Sequence, residues 1–175
     1  MPSVNQIPRT VIADIEVLMA TAAPARILLI GDGGTASAAE YQAQQAVLGV
    51  DILVERITAA DWLQYLDNST EYDFVLVTNV LEEIPKSQGM QLLAGIRDKL
   101  GTQFCVYYNP NTDSAENTWQ LHDFLSLGLV RVNHYKWDSH NSALFRYSLS
   151  SYKRTPDWLN ADNWANPELW GKYWW

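Results

Sequence analysis

Apolar residues along the chain recur with two periods. Val11, Ile12, Ile15, Leu18 and Met19 fall at helical spacing over residues 9–22, and Pro24 breaks the pattern. Ile27 to Ile30 then form an unbroken apolar run that meets Gly31, Gly33 and Gly34. An apolar run of this length bounded by glycines predicts a buried strand over 26–31. A helical pattern follows from about Ser37 to Leu48, and Gly49 ends it. A second strand is expected over 50–57, then a short helix over 59–66 with Thr58 as its N-cap. Phe74 to Thr78 predicts another buried strand, and 79–85 a turn or short helix. Met90, Leu93, Ile96 and Leu100 line one face of a helix over 87–100, capped by Gly101, and 103–108 reads as the next strand. Asn109 to Ser114 is a loop, followed by a helix to about Leu127 that Gly128 ends.

Two further strands are expected over 129–135 and 143–152. The polar joint between them is too short for a parallel crossover, which needs a dozen or more residues, so the pair is antiparallel. The order is βαβαβαβαββ, an α/β chain whose mostly parallel sheet closes with a hairpin.

Composition narrows the class. The chain has 175 residues, 47% hydrophobic and 18% charged, with net charge −8. That suits one globular domain over 1–152, with a different segment over 153–175. The acidic balance speaks against nucleic acid as a partner and for simple solubility. Cys105 is the only cysteine. It excludes a disulfide framework within the chain and reads as a buried, inert thiol. There is neither a basic start with an apolar core nor a run of about 18 apolar residues, so the expectation is a cytoplasmic protein away from membranes. His122, His134 and His140 are scattered along the sequence, which gives no metal-ligand spacing.

The stretch RILLIGDGGTAS, Arg26 to Ser37, carries the chemistry. Glycines let a backbone approach a nucleotide-like ligand closely, and the first N–H groups of a helix are unpaired donors. ILLIGDGG, YDFVLVTNVLEEIP, LLAGIRDKLG and FLSLGLVRVNHY, in this order over roughly 25–150, resemble the class I S-adenosylmethionine-dependent methyltransferase superfamily. The resemblance implies a Rossmann-like fold with S-adenosylmethionine as cofactor and a small-molecule or protein methyl acceptor as partner.

It also implies site residues. Gly31, Asp32 and Gly33, with Gly34 beside them, would hold the methionine end and ribose. An acid at the end of the second strand would accept both ribose hydroxyls. Glu55 is one candidate; an alternative register makes Asp61 and Trp62 the acidic and aromatic pair beside adenine. The turn after the central strand, with Asn79, would face the cofactor, and Val80 and Glu83 the acceptor. Many small-molecule methyltransferases carry histidine where this chain has Glu83.

The chain departs from the pattern in three places. Leu29 stands where the family has an acid, which removes a charge-assisted bond of about 1.5–3 kcal/mol to the ligand ammonium. Asp32 is the nearest replacement. Thr35 stands at the third glycine position. The segment from Glu55 to Tyr72 is too short for the usual helix, strand and loop, so the third, edge strand is expected to be lost or shortened.

Weaker signals point elsewhere. GDGGTA also fits the dinucleotide pattern G-x-G-x-x-A, with Glu55 downstream, but that fold continues with a second parallel half and the terminal hairpin argues against it. NPNT at 109–112 lacks the aromatic of an amino-methyltransferase motif and reads as a loop.

Trp158, Trp164, Trp170, Trp174 and Trp175 crowd the last residues, where Thr155-Pro156 and Asn166-Pro167 look like helix starts. They form either a helical cover over the sheet, a docking surface for a second copy or another protein, or a wall of the acceptor site. Two functions stay open: a methyltransferase, or a non-catalytic scaffold of that fold using the tryptophan tail as a contact surface.

Overall fold

A computed structural model describes residues 7–67, 70–101, 103–110, 118–137 and 141–149. The tryptophan-rich segment, His140 and most of the 109–114 loop lie outside the described residues. Six strands form one sheet: β1 (Arg26–Gly31), β2 (Leu53–Ile57), β3 (Phe74–Thr78), β4 (Gln103–Tyr108), β5 (Val130–Lys136) and β6 (Asn141–Ser148). The helices are α1 (Arg9–Ala22), α2 (Thr35–Val47), α3 (Trp62–Asp67), α4 (Lys86–Gly95) and α5 (Leu121–Ser126). The strand order is β2-β1-β3-β4-β6-β5. β1 to β4 pair in parallel, and β6 runs antiparallel to both β4 and β5. This is the mostly parallel sheet with a closing hairpin that the hydrophobic pattern predicts. No strand lies outside β2 among the described residues.

The unbroken apolar runs are explained by burial on both faces. Ile27, Leu29, Phe74, Leu76, Cys105 and Tyr107 pack with Val11, Ile15 and Met19 of α1 and Ala38 and Tyr41 of α2. Leu28, Ile30, Val75, Val77, Phe104 and Val106 pack on the opposite side, with Trp62, Leu92, Leu93 and Phe124 from α3, α4 and α5. The sheet is the middle of three layers. Cys105 is 1% exposed, and burial pushes its thiol up to about 12, which keeps it protonated and inert.

Element boundaries move where side chains intervene. α2 begins at Thr35, two residues before the expected start, because Gly34 takes a left-handed φ of +80° and ends the turn there. β2 begins at Leu53, not Val50. α3 begins at Trp62, since Thr58 and Asp61 close a separate turn, the Thr58 hydroxyl donating to Asp61 Oδ2 at 2.7 Å. The expected helix over 87–100 is α4 followed by a π-helical turn, Ile96–Leu100. The helix before Gly128 is shorter than its pattern suggests. Residues 118–120 precede it outside any helix, with Gln120 extended and the Trp119 N–H donating to the Tyr108 hydroxyl at 3.0 Å.

Among the described residues no helix is long and apolar enough to cross a membrane, and no cluster of ligating side chains could hold a metal ion. His122 and His134 are exposed.

Candidate functional site

The chain leaves β1 towards β2 on one side and returns through β3 on the other, so β1 and β3 mark where the sheet order reverses. Ligands of open α/β sheets bind at this point, outside the carboxyl ends of the strands. Gly31 pairs with Thr78 in the register of β1 and β3. Its φ is +100°, and a Cβ there would sit 2.0 Å from the Thr78 carbonyl oxygen. Only glycine closes this contact. The Gly33 N–H donates to Thr78 Oγ1 at 2.8 Å, and Thr78 is fully buried. A Cβ on Gly33 would meet Ile7 Cδ1 at 2.3 Å, so the segment before α1 packs directly on the turn.

The first bond of α2 runs from the Ala38 N–H to the Gly34 carbonyl. The N–H groups of Thr35, Ala36 and Ser37 therefore have no acceptor within the helix. Ser37 is 2% exposed, and its hydroxyl oxygen is buried with no partner among the described residues. Asp32 is exposed at the tip of the turn and pairs with Arg56 at 2.9 Å. Arg56 Nε also donates to the Gly31 carbonyl at 3.2 Å. Arg56 thus ties the end of β2 to the glycine turn, a contact its polar position in the strand does not announce.

The two acidic candidates separate clearly. Glu55 pairs with Leu28, two positions short of the Ile30–Ile57 pair at the strand ends. Its carboxylate accepts the hydroxyls of Tyr65 and Tyr72, which hold its pKa below the usual carboxylate range. Burial and the Glu55 bond raise the Tyr72 phenol, and Arg26 lies 5.5 Å over its ring. Glu55 is therefore engaged away from the glycine turn. Asp61 lies just beyond the end of β2 and is exposed. Trp62 is 5% exposed within the core cluster containing Leu28, Ile30 and Val80.

Beyond β3, Asn79 takes a left-handed φ of +54°, which asparagine tolerates better than most residues. Val80 is fully buried, its Cγ2 2.8 Å from where a Gly31 Cβ would sit. Glu83 is exposed, whereas Glu82 turns inward and accepts the Asn109 N–H at 2.6 Å. Burial pushes the Glu82 carboxyl up to about 7, against the lowering effect of that bond. Glu82 and Asn109 carry no special signal in sequence: a turn has no period to show which of two adjacent glutamates is buried. Leu29 is 1% exposed inside the core, so the hydrophobe fills its place on the α1–α2 face.

A family model described as DUF6231, a family of unknown function, matches residues 9–175. The chain belongs to DUF6231. No curated protein matches its sequence. Solved structures similar to this DUF6231 chain include methyltransferases. One is the magnesium protoporphyrin IX methyltransferase ChlM of Synechocystis PCC 6803 with bound S-adenosylhomocysteine, at 11% identity and TM-score 0.50 over 78% of this chain and 81% of that one. Another is the O-methyltransferase TomG of Streptomyces achromogenes in complex with S-adenosylmethionine, at 14% identity and TM-score 0.50 over 85% and 83% of the chains. A third is the 1,6-didemethyltoxoflavin-N1-methyltransferase of Burkholderia thailandensis, at 12% identity and TM-score 0.50 over 80% and 77%. The DUF6231 chain thus has the class I methyltransferase-like fold.

Proposed function

We propose that this chain is an S-adenosylmethionine-dependent methyltransferase acting on a small molecule or a protein. The observation that carries the reading is the glycine turn between the carboxyl end of β1 and the start of α2, at the point where the strand order reverses. The donor set there fits the cofactor. The N–H groups at the start of α2 suit its carboxylate. Gly31 to Gly34 supply the close backbone approach, and Asp32 stands at the tip of that turn. Asp61, exposed past the end of β2, accepts the ribose hydroxyls in preference to Glu55, whose Oε2 accepts two tyrosine hydroxyls inside the strand. Trp62 anchors that segment in the core rather than stacking on the base. Val80 keeps the β3 turn seated against Gly31, and Asn79 borders the cofactor. Glu83 faces outward on the acceptor side. Bound there, the cofactor supplies a methyl group on a sulfonium. In-line alignment of the acceptor is the main requirement of such a transfer.

Titration calorimetry of the full chain with S-adenosylmethionine and S-adenosylhomocysteine tests this. Micromolar binding is expected. Asp61→Asn, at an exposed position, should weaken binding about 10- to 100-fold, the range of a charge-assisted hydrogen bond. Folded protein that gives no heat with either ligand would overturn the reading.

Two observations favour a second reading, a non-catalytic domain that keeps the fold and uses its tryptophan-rich end to contact a partner or a second copy. Leu29 is a buried hydrophobe where an acid would meet the cofactor ammonium, and Ile7 packs on the Gly33 side of the turn. The same titration separates the two.

A further inference from the structure

Glu82 lies in the turn beyond β3, and Asn109 follows β4, the adjacent strand. The Asn109 N–H bond to Glu82 Oε1, at 2.6 Å, uses one carboxylate oxygen. Glu82 Oε2 and Asn109 Oδ1 are both buried, and neither has a donor among the described residues. Asn109 is 8% exposed. Buried acceptors without donors are rare in folded proteins and costly to keep. No cation offsets this pair among the described residues. Lys86, on the next helix, is bound to Asp123 at 2.6 Å, and Glu83 adds negative charge beside Glu82. The other titratable groups that feel Glu82 are the phenols of Tyr107 and Tyr108, both neutral.

Two buried acceptors on residues joined by one hydrogen bond, one of them a carboxylate without a cation among the described residues, match a nitrogen that carries several protons. We propose that Glu82 Oε2 and Asn109 Oδ1 receive the amine of the methyl acceptor, so that the substrate is a primary or secondary amine. This rests on the methyltransferase reading. The arriving ammonium gives one proton to the Glu82 carboxylate. The freed nitrogen lone pair forms the N–C bond to the methyl carbon while the S–C bond breaks, and its electrons stay on sulfur as a neutral thioether. The product leaves as a methylated ammonium, and Glu82 returns its proton to solvent. A carboxyl poised near 7 suits that exchange.

The test uses full-length protein labelled with 15N and 13C. The Asn109 amide and the Glu82 side-chain carboxyl carbon are followed by NMR while methylammonium chloride is added, with phenol as the hydroxyl-bearing control. Methylammonium should shift both signals saturably and lower the Glu82 midpoint. Glu82→Gln, which keeps an oxygen for the Asn109 N–H, should weaken methylammonium at least tenfold, and Asn109→Ser should weaken it less. Signals that ignore methylammonium, or that respond equally to phenol, would overturn the proposal and leave the pair a closed structural clamp. Calorimetry with S-adenosylhomocysteine on the same samples keeps the two readings apart. Cofactor binding with a silent Glu82 removes the amine site alone. A saturable methylammonium response without cofactor binding removes the methyltransferase reading, and with it the methyl-acceptor role, and leaves an amine-binding pair.

Discussion

At Gly31 a single hydrogen in place of a methyl decides whether β1 and β3 can close. A Cβ would lie 2.0 Å from the Thr78 carbonyl, and φ is +100°. Backbone strain and overpacking add here, so Gly31→Ala should lose about 3–5 kcal/mol in urea unfolding. A loss below about 1 kcal/mol, the size of an ordinary surface change, would show that the turn adapts. This requirement was legible in the sequence because only glycine meets it. Glu82 was not, for no pattern distinguishes it from exposed Glu83.

Its titration makes a second residue-scale prediction. Burial raises the folded carboxyl from 4.5 to about 7, so the folded state binds more protons than the unfolded chain between those values. Stability is therefore greatest below the unfolded pKa and falls as pH rises towards 7. The loss is on the order of 3 kcal/mol, and Glu82→Gln should flatten that slope in thermal melts between pH 4.5 and 7. An unchanged slope would mean that the carboxyl ionises freely in the fold.

At the scale of elements, the strands were read well and the connections poorly. β1, β3 and β4 stand where the apolar runs place them, because burial on both faces leaves no polar position to misread. β2 starts three residues later than its run but ends at Ile57, where the run ends. Glu55 falls inside the strand, and Asp61 falls past it. The two tyrosines on Glu55 then act as a clamp between β2, α3 and the entry to β3. Both hydroxyls donate to one oxygen, Oε2, so Glu55→Gln leaves them a neutral amide oxygen and weakens both bonds. Amides of α3 should exchange with solvent faster in this variant while those of β1 stay protected. Equal exchange in both proteins would show that apolar packing of Trp62 and Leu66 alone holds α3. Because hydrogen bonds to the tyrosines lower the Glu55 pKa, the clamp's contribution is present at neutral pH and fades as pH drops through the acidic range.

At the scale of the whole molecule, the fold class and the closing hairpin follow from element order alone. The tryptophan-rich extension does not: composition favours burial of such side chains and says nothing of which surface would receive them. Five tryptophans in one stretch should contribute to stability, so a chain ending at residue 152 is expected to melt lower than the full chain. An unchanged melting temperature with a change in oligomeric state would assign the segment to an interface instead.

The place of β6 has a consequence for how the chain is made. β4 is complete at Tyr108, but the strand that pairs with its free edge begins at Asn141. As the chain leaves the ribosome, the parallel half of the sheet is finished first and carries a bare apolar edge until β6 arrives. β5 emerges before β6 yet pairs with it and not with β4. Synthesis therefore delivers the outermost strand ahead of the one that must slip inside it. The interval between them is when this protein is most exposed to wrong strand pairing and to chaperones.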